Sequence, residues 1–172
     1  MTTSTGTTVG AQPAWWRWLL LSAAVVALDL GTKAWVRAIF REGEEFPVTS
    51  FFSLVLAYNT GAAFSFLAGE GGWQRWFFIV VAVLASGFLV WMLRRGGNRM
   101  LCLGLALILG GALGNLWDRI MLGRVTDYLL FHYAGWSWPA FNVADSAITV
   151  GAACLILDSF RPRRDVTPAR TP

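Results

Sequence analysis

Two aspartates, Asp127 and Asp145, stand at the mouths of neighbouring apolar runs. A carboxylate pair so placed can share one proton, one member serving as acid and the other as base. The first closes the stretch 115–127 (N-L-W-D-R-I-M-L-G-R-V-T-D), and the second closes Asn142-Val143-Ala144-Asp145. Ionisable groups at membrane depth are costly unless they are paired or face a wet cavity, so their default reading is functional. The chemistry that fits is that of an aspartic protease: one carboxylate takes a proton from water while the other, protonated, supports the carbonyl oxygen and then the leaving amine. A proton relay or an ion site would use the same pair.

Other chemistries are excluded by residue type. With one histidine, His132, no H-E-x-x-H zinc site can form, and a Ser-His-Asp triad would depend wholly on that residue. Gly135-Trp136-Ser137-Trp138-Pro139 does not complete a G-x-S-x-G elbow, and no P-loop is present. The expectation is therefore an enzyme without a metal or cofactor.

The elements that must hold these carboxylates follow from composition. A chain of 172 residues, 56% hydrophobic and 14% charged, with a mean hydropathy of +0.54, reads as a single polytopic membrane domain. The net charge of +4 does not point to nucleic acid, because thirteen of the fourteen basic residues are arginines, most of them beside apolar runs. Cys102 and Cys154 lie inside such runs and read as small packing residues.

In chain order, residues 1–14 are small and polar and form an N-terminal disordered tail. Trp15, Trp16 and Trp18 mark a membrane boundary before the first span, about 19–40, whose apolar pattern runs well past any signal-peptide cleavage point. Asp29 and Lys33 within it lie on one helical face and read as an ion pair that anchors the helix. Segment 41–72 reads as a strand pair outside the bilayer, leading into a turn at Asn59-Thr60-Gly61 and the small residues 62–66. The second and third spans are 73–93 and about 100–120, the latter with Gly110, Gly111 and Gly114 for close helix contact. After Met121 a loop carries Asp127, His132 and Pro139, and the fourth span runs from about 142 to 160. The expected architecture is thus an all-α polytopic membrane protein of four transmembrane helices with a small extracytoplasmic β-rich segment. Residues 15–160 form the membrane domain, and 161–172 a basic cytoplasmic tail. Arg17, the turn at 94–99 and that tail put both termini in the cytoplasm and the carboxylates outside.

Asp29-x-x-x-Lys33, Asn59-Thr60-Gly61-Ala62-Ala63-Phe64, Gly114-Asn115-x-x-Asp118-Arg119 with Gly123-Arg124-Val125-Thr126-Asp127-Tyr128, and Phe141-Asn142-Val143-Ala144-Asp145-Ser146 together resemble bacterial lipoprotein signal peptidase (signal peptidase II). The resemblance spans about residues 18–160 and implies an aspartic endopeptidase of the plasma membrane. Its implied substrate is a prolipoprotein carrying a diacylglyceryl group, cut on the amino side of the lipidated cysteine. By motif, Asp127 and Asp145 would be the catalytic dyad; Asn59, Gly61, Asn115, Arg119 and Asn142 would line or support the site, with Asp29 and Lys33 more remotely. Membrane lipids are the other implied partner, and the chain is expected to act as a monomer. A small proton-coupled transporter is the rival reading, against which no convincing repeat relates the two halves.

Overall fold

The computed structural model describes residues 15–61 and 71–161. The expectations for the tail 1–14, for 62–66 and for 162–172 lie outside the described residues. Four helices and one four-stranded antiparallel sheet make up the rest, in the order α1 (Trp16–Ile39), β1 (Glu45–Pro47), β2 (Phe52–Asn59), α2 (Trp73–Arg95), α3 (Arg99–Leu122), β3 (Val125–Tyr133), β4 (Trp136–Ser137) and α4 (Val143–Ser159).

Helices α1, α2 and α3, of 24, 23 and 24 residues, are long and apolar enough to cross a membrane. At about 1.5 Å per residue each exceeds a hydrocarbon core of roughly 30 Å. Their outer faces carry large apolar side chains in the open, among them Leu20, Leu28, Val80, Leu84 and Phe88. In water such a surface would aggregate; against lipid it is at rest. Helix α4 is shorter, at 17 residues.

Helix α3 is the hub, packed on each of the other three helices. Its glycines make this approach possible, since lipid tails offer little drive for helix association and close contact must supply it. A Cβ on Gly104 would lie 2.8 Å from the Gly151 carbonyl oxygen, and one on Gly151 would lie 2.7 Å from that of Gly104, so α3 and α4 touch backbone to backbone. Gly110 meets Val25 and the Ser22 carbonyl of α1 in the same way, and the Ser22 hydroxyl donates across to the Ala106 carbonyl at 2.8 Å. Leu89 and Leu93 of α2 complete the core against Leu105 and Leu109. Asn98 caps the start of α3 by accepting from the Met100 and Leu101 amides at 2.9 and 3.0 Å. Gly123, in the left-handed region at φ +75°, ends it and turns the chain into β3.

The sheet follows the order β1-β2-β3-β4. The expected strand pair is β1 on β2, with Glu45 opposite Val55. The expected loop after Met121 is corrected: it supplies β3 and β4, so Asp127 stands on a strand. The sequence V-T-D-Y-L-L-F-H-Y is rich in β-branched and aromatic residues, and it pairs with the second edge of β2. An irregularity between Leu54 and Ala57 shifts the register, setting Ala57 opposite Asp127 and Asn59 opposite Val125. At the far end of this ladder Phe141 is stitched to β3, its amide donating to the Leu129 carbonyl at 3.0 Å and its carbonyl accepting from the Leu129 amide at 2.8 Å. That bridge delivers the start of α4 to the flank of Asp127.

Candidate active site

Asn142 is the N-cap of α4 and Asp145 its third residue, and the two form a capping box. The Asn142 side-chain oxygen accepts from the Asp145 amide at 2.9 Å, and the Asp145 Oδ2 accepts from the Asn142 amide at 3.3 Å. This local motif fixes the Asp145 side chain at the positive end of α4. Its other oxygen, Oδ1, accepts from Asn115 Nδ2 on α3 at 2.8 Å.

The same Asn142 reaches Asp127. Its Nδ2 donates to Asp127 Oδ1 at 2.7 Å and lies 3.2 Å from both the Thr126 carbonyl and Asn115 Oδ1. One residue thus touches both aspartates, and it is wholly buried. Asp127 is 4% exposed. Burial, and then the charge of Asp145, push its carboxyl up to about 7, against the pull of hydrogen bonds from Asn142 and Asn59 and the charge of Lys33. A carboxyl that keeps its proton near neutrality can donate to a carbonyl oxygen and protonate a leaving amine.

Both aspartates line one cavity of about 830 Å³, with Asn59, Asn115 and Arg119 also on its wall. Apolar residues close the remainder, among them Tyr58, Trp138, Phe141 and Ile148. A concave apolar space with a few convergent polar groups is the usual form of a ligand site.

Behind the cavity lies a second layer of charge. Lys33 Nζ is 2.7 Å from Asp29 Oδ2, 2.9 Å from Asn115 Oδ1 and 3.5 Å from Asp118 Oδ2, with Lys33 and Asp29 fully buried. Asp29 Oδ1 accepts from the Ala144 amide in the first turn of α4 at 2.9 Å. The pair therefore does more than anchor α1: it clasps the helices that bear Asn115 and Asp145.

A model of the family described as signal peptidase (SPase) II matches residues 21–161. The chain belongs to the signal peptidase II family. It is similar to the lipoprotein signal peptidase of Ralstonia nicotianae, 55% identical over 145 residues covering 84% of each chain. It is likewise similar to that of a Janthinobacterium species, 52% identical over 145 residues covering 84% of this chain and 88% of the other. A bacterial membrane enzyme solved by the in meso method at 2.3 Å resolution superposes with a TM-score of 0.78 at 26% identity, covering 91% of this chain and 94% of that one. Another, at 1.9 Å resolution, gives 0.73 at 28% identity over 84% and 93%.

Within this signal peptidase II chain, five of the residues singled out by motif, Asn59, Asn115, Arg119, Asp127 and Asp145, line the cavity, while Asn142 is bonded to Asp127 and Asp29 and Lys33 lie in the layer behind. Gly61 sits in an Asx turn, its amide donating to Asn59 Oδ1 at 2.9 Å, and its carbonyl accepts from Arg119 Nη2 at 3.0 Å. Arg119 does not pair with its neighbour Asp118; its guanidinium carbon lies 5.0 Å from the Phe78 ring centre, and Nη1 reaches the Asn115 carbonyl at 3.4 Å. Sequence reasoning missed Arg37, which donates to Thr126 Oγ1 at 2.9 Å and pairs with Asp118 at 3.3 Å. The signal was there: 29, 33 and 37 repeat at four-residue steps and so share one face of α1.

Proposed function

We propose that this chain cuts the signal peptide from diacylglyceryl-modified prolipoproteins on the amino side of the lipidated cysteine, with Asp127 and Asp145 as its catalytic dyad. The observation that carries the reading is a single buried residue, Asn142, whose side-chain amide bonds the Asp127 carboxyl and whose backbone amide bonds the Asp145 carboxyl, beside one largely apolar cavity that both aspartates line. Asp145 takes a proton from the attacking water. Asp127, holding its proton near neutral pH, donates to the scissile carbonyl oxygen and later protonates the leaving amine, and each turnover returns the shared proton. Asn115 and Asn142 hold the pair in place. Arg119, tied to Gly61, and Asn59 frame the opening toward the peptide. The acyl chains occupy the apolar part of the cavity and continue into lipid, which makes membrane lipids the surrounding partner. Both aspartates and the asparagines bonded to them come from one chain, which supports a monomer as the working unit, with residues 15–160 as its peptidase domain. Purified protein in detergent should cleave a diacylglyceryl-cysteine peptide and lose nothing to EDTA. Failure to cut the lipidated peptide, or zinc-restorable loss of activity, sinks the reading.

The same reading makes α4 a fourth span. Its 17 residues reach about 26 Å, near the short end of what a bilayer requires. Arg17, Arg94, Arg95, Arg99 and Arg161 then gather at one end of the bundle and the sheet at the other, and this supports cytoplasmic termini and an outward-facing dyad in the bacterial inner membrane. A reporter fused after Arg99 should read cytoplasmic and one inserted at Gly71 external. The reverse result at either point rejects the orientation.

A further inference from the structure

Asp127 is held from the side opposite the cavity. On a strand, neighbours point to opposite faces, and Thr126 and Tyr128 turn into the helices while Asp127 faces the cavity. The Tyr128 hydroxyl donates to Thr32 Oγ1 of α1 at 2.6 Å. Thr126 is fully buried, and each of its polar groups is engaged. Its amide donates to Asp118 Oδ2 at 2.9 Å, its hydroxyl accepts from Arg37 Nη1 at 2.9 Å, and its carbonyl lies 3.2 Å from Asn142 Nδ2. Asp118, 1% exposed, is held in turn by Arg37 at 3.3 Å and Lys33 at 3.5 Å.

A buried carboxylate at this depth is expensive, and an apolar residue would satisfy helix packing at lower cost. What the acid adds is a fixed acceptor for one backbone amide, that of the residue preceding Asp127. We infer that Asp118, oriented by Arg37, is a positioning residue: it fixes the backbone of Thr126 and thereby the reach of the Asp127 carboxyl toward Asp145. The inference rests on the dyad reading above. Supporting groups behind a reactive side chain tolerate little slack, and a displacement of about 1 Å can cost roughly 10²-fold in rate.

The test compares Asp118→Asn, which keeps the shape and removes the charge, with Thr126→Val, which keeps the shape and removes the acceptor for Arg37. Cleavage of a diacylglyceryl-cysteine peptide is followed across pH in detergent. In both variants kcat should fall about 10- to 100-fold with KM nearly unchanged. The alkaline limb of the profile, set by loss of the Asp127 proton, should move to lower pH as the slackened site admits water. The groups facing Asp127 are Asp145 and its N-cap Asn142 from α4, Asn115 and Arg119 from α3, Asn59 from β2 and Lys33 from α1; Thr126→Val alters none of them and removes no charge, so the shift in that variant reports position. Arg37→Lys should restore part of what Arg37→Gln loses. A loss that only tracks the folded fraction, with the pH limb unmoved, overturns the inference. Should Asp118→Asn not fold, Thr126→Val and Arg37→Gln, which frees Asp118 from the group that orients it, decide together, and wild-type kcat with an unmoved limb in both overturns it. Asp127→Asn is assayed alongside. If it still cleaves, the dyad reading itself is wrong; if it is dead while Asp118→Asn and Thr126→Val are normal, only the positioning role fails.

Discussion

Asp127→Asn should abolish cleavage and, at neutral pH and above, make the protein more stable. The loss of activity should approach about 10⁴-fold, the upper end for a group that carries a proton through the transition state, because an amide keeps the shape and the bond from Asn142 but exchanges no proton. The gain in stability follows from linkage. The folded-state carboxyl titrates near 7, above its ordinary 3.8. Below pH 3.8 both folded and unfolded chains are protonated and the group contributes nothing. Between the two values the folded chain holds the extra proton, so stability declines as pH rises, and above 7 the penalty is complete. Three pH units correspond to about 4 kcal/mol, and the neutral amide escapes that cost. Thermal melts in detergent should therefore coincide for the two proteins near pH 4 and separate progressively toward pH 8, with the variant higher. Asp145→Asn should be equally inactive. Full activity in either, or a wild-type melting curve at every pH, counts against the assignment.

Removing Lys33 alone should be the most damaging change to stability. It would leave Asp29 and Asp118 buried beside each other without the ammonium between them, and breaking a buried pair in this way typically costs about 3 to 5 kcal/mol. Lys33→Leu with Asp29→Leu removes the orphaned charge, and the melting temperature should recover much of the loss. Activity should not recover with it, because Asn115 Oδ1 loses its bond from Lys33 and the Ala144 amide loses its acceptor, both on the path to Asp145. A double variant that is both stable and fully active would return the pair to a purely structural part.

Much of this was legible along the chain because each signal is local. Apolar run length gave α1, α2 and α3 to within three residues at either end. The capping box of Asn142 and Asp145 came only with the structure, although a three-residue spacing ahead of an apolar run is its mark. The motifs at 29–33, 59–64, 114–128 and 141–146 gave the family. The segment 125–133 was misread as a loop for a tertiary reason: its pattern becomes a strand only when β2 offers an edge, and that partner lies more than sixty residues earlier.

What sequence alone determined, then, is the set of residues near the chemistry, the family and the apolar helices, since motif spacing and hydropathy are properties of short windows. What only the tertiary structure decided is who faces whom. The Phe141–Leu129 bridge and the glycine contacts of α3 bring Asp127 and Asp145 to a single residue, Asn142. Asp118 turns away from the adjacent Arg119 toward Lys33 and Arg37. Those choices depend on distances between segments up to a hundred residues apart, set by how closely backbones can approach, and no periodicity within one segment encodes them.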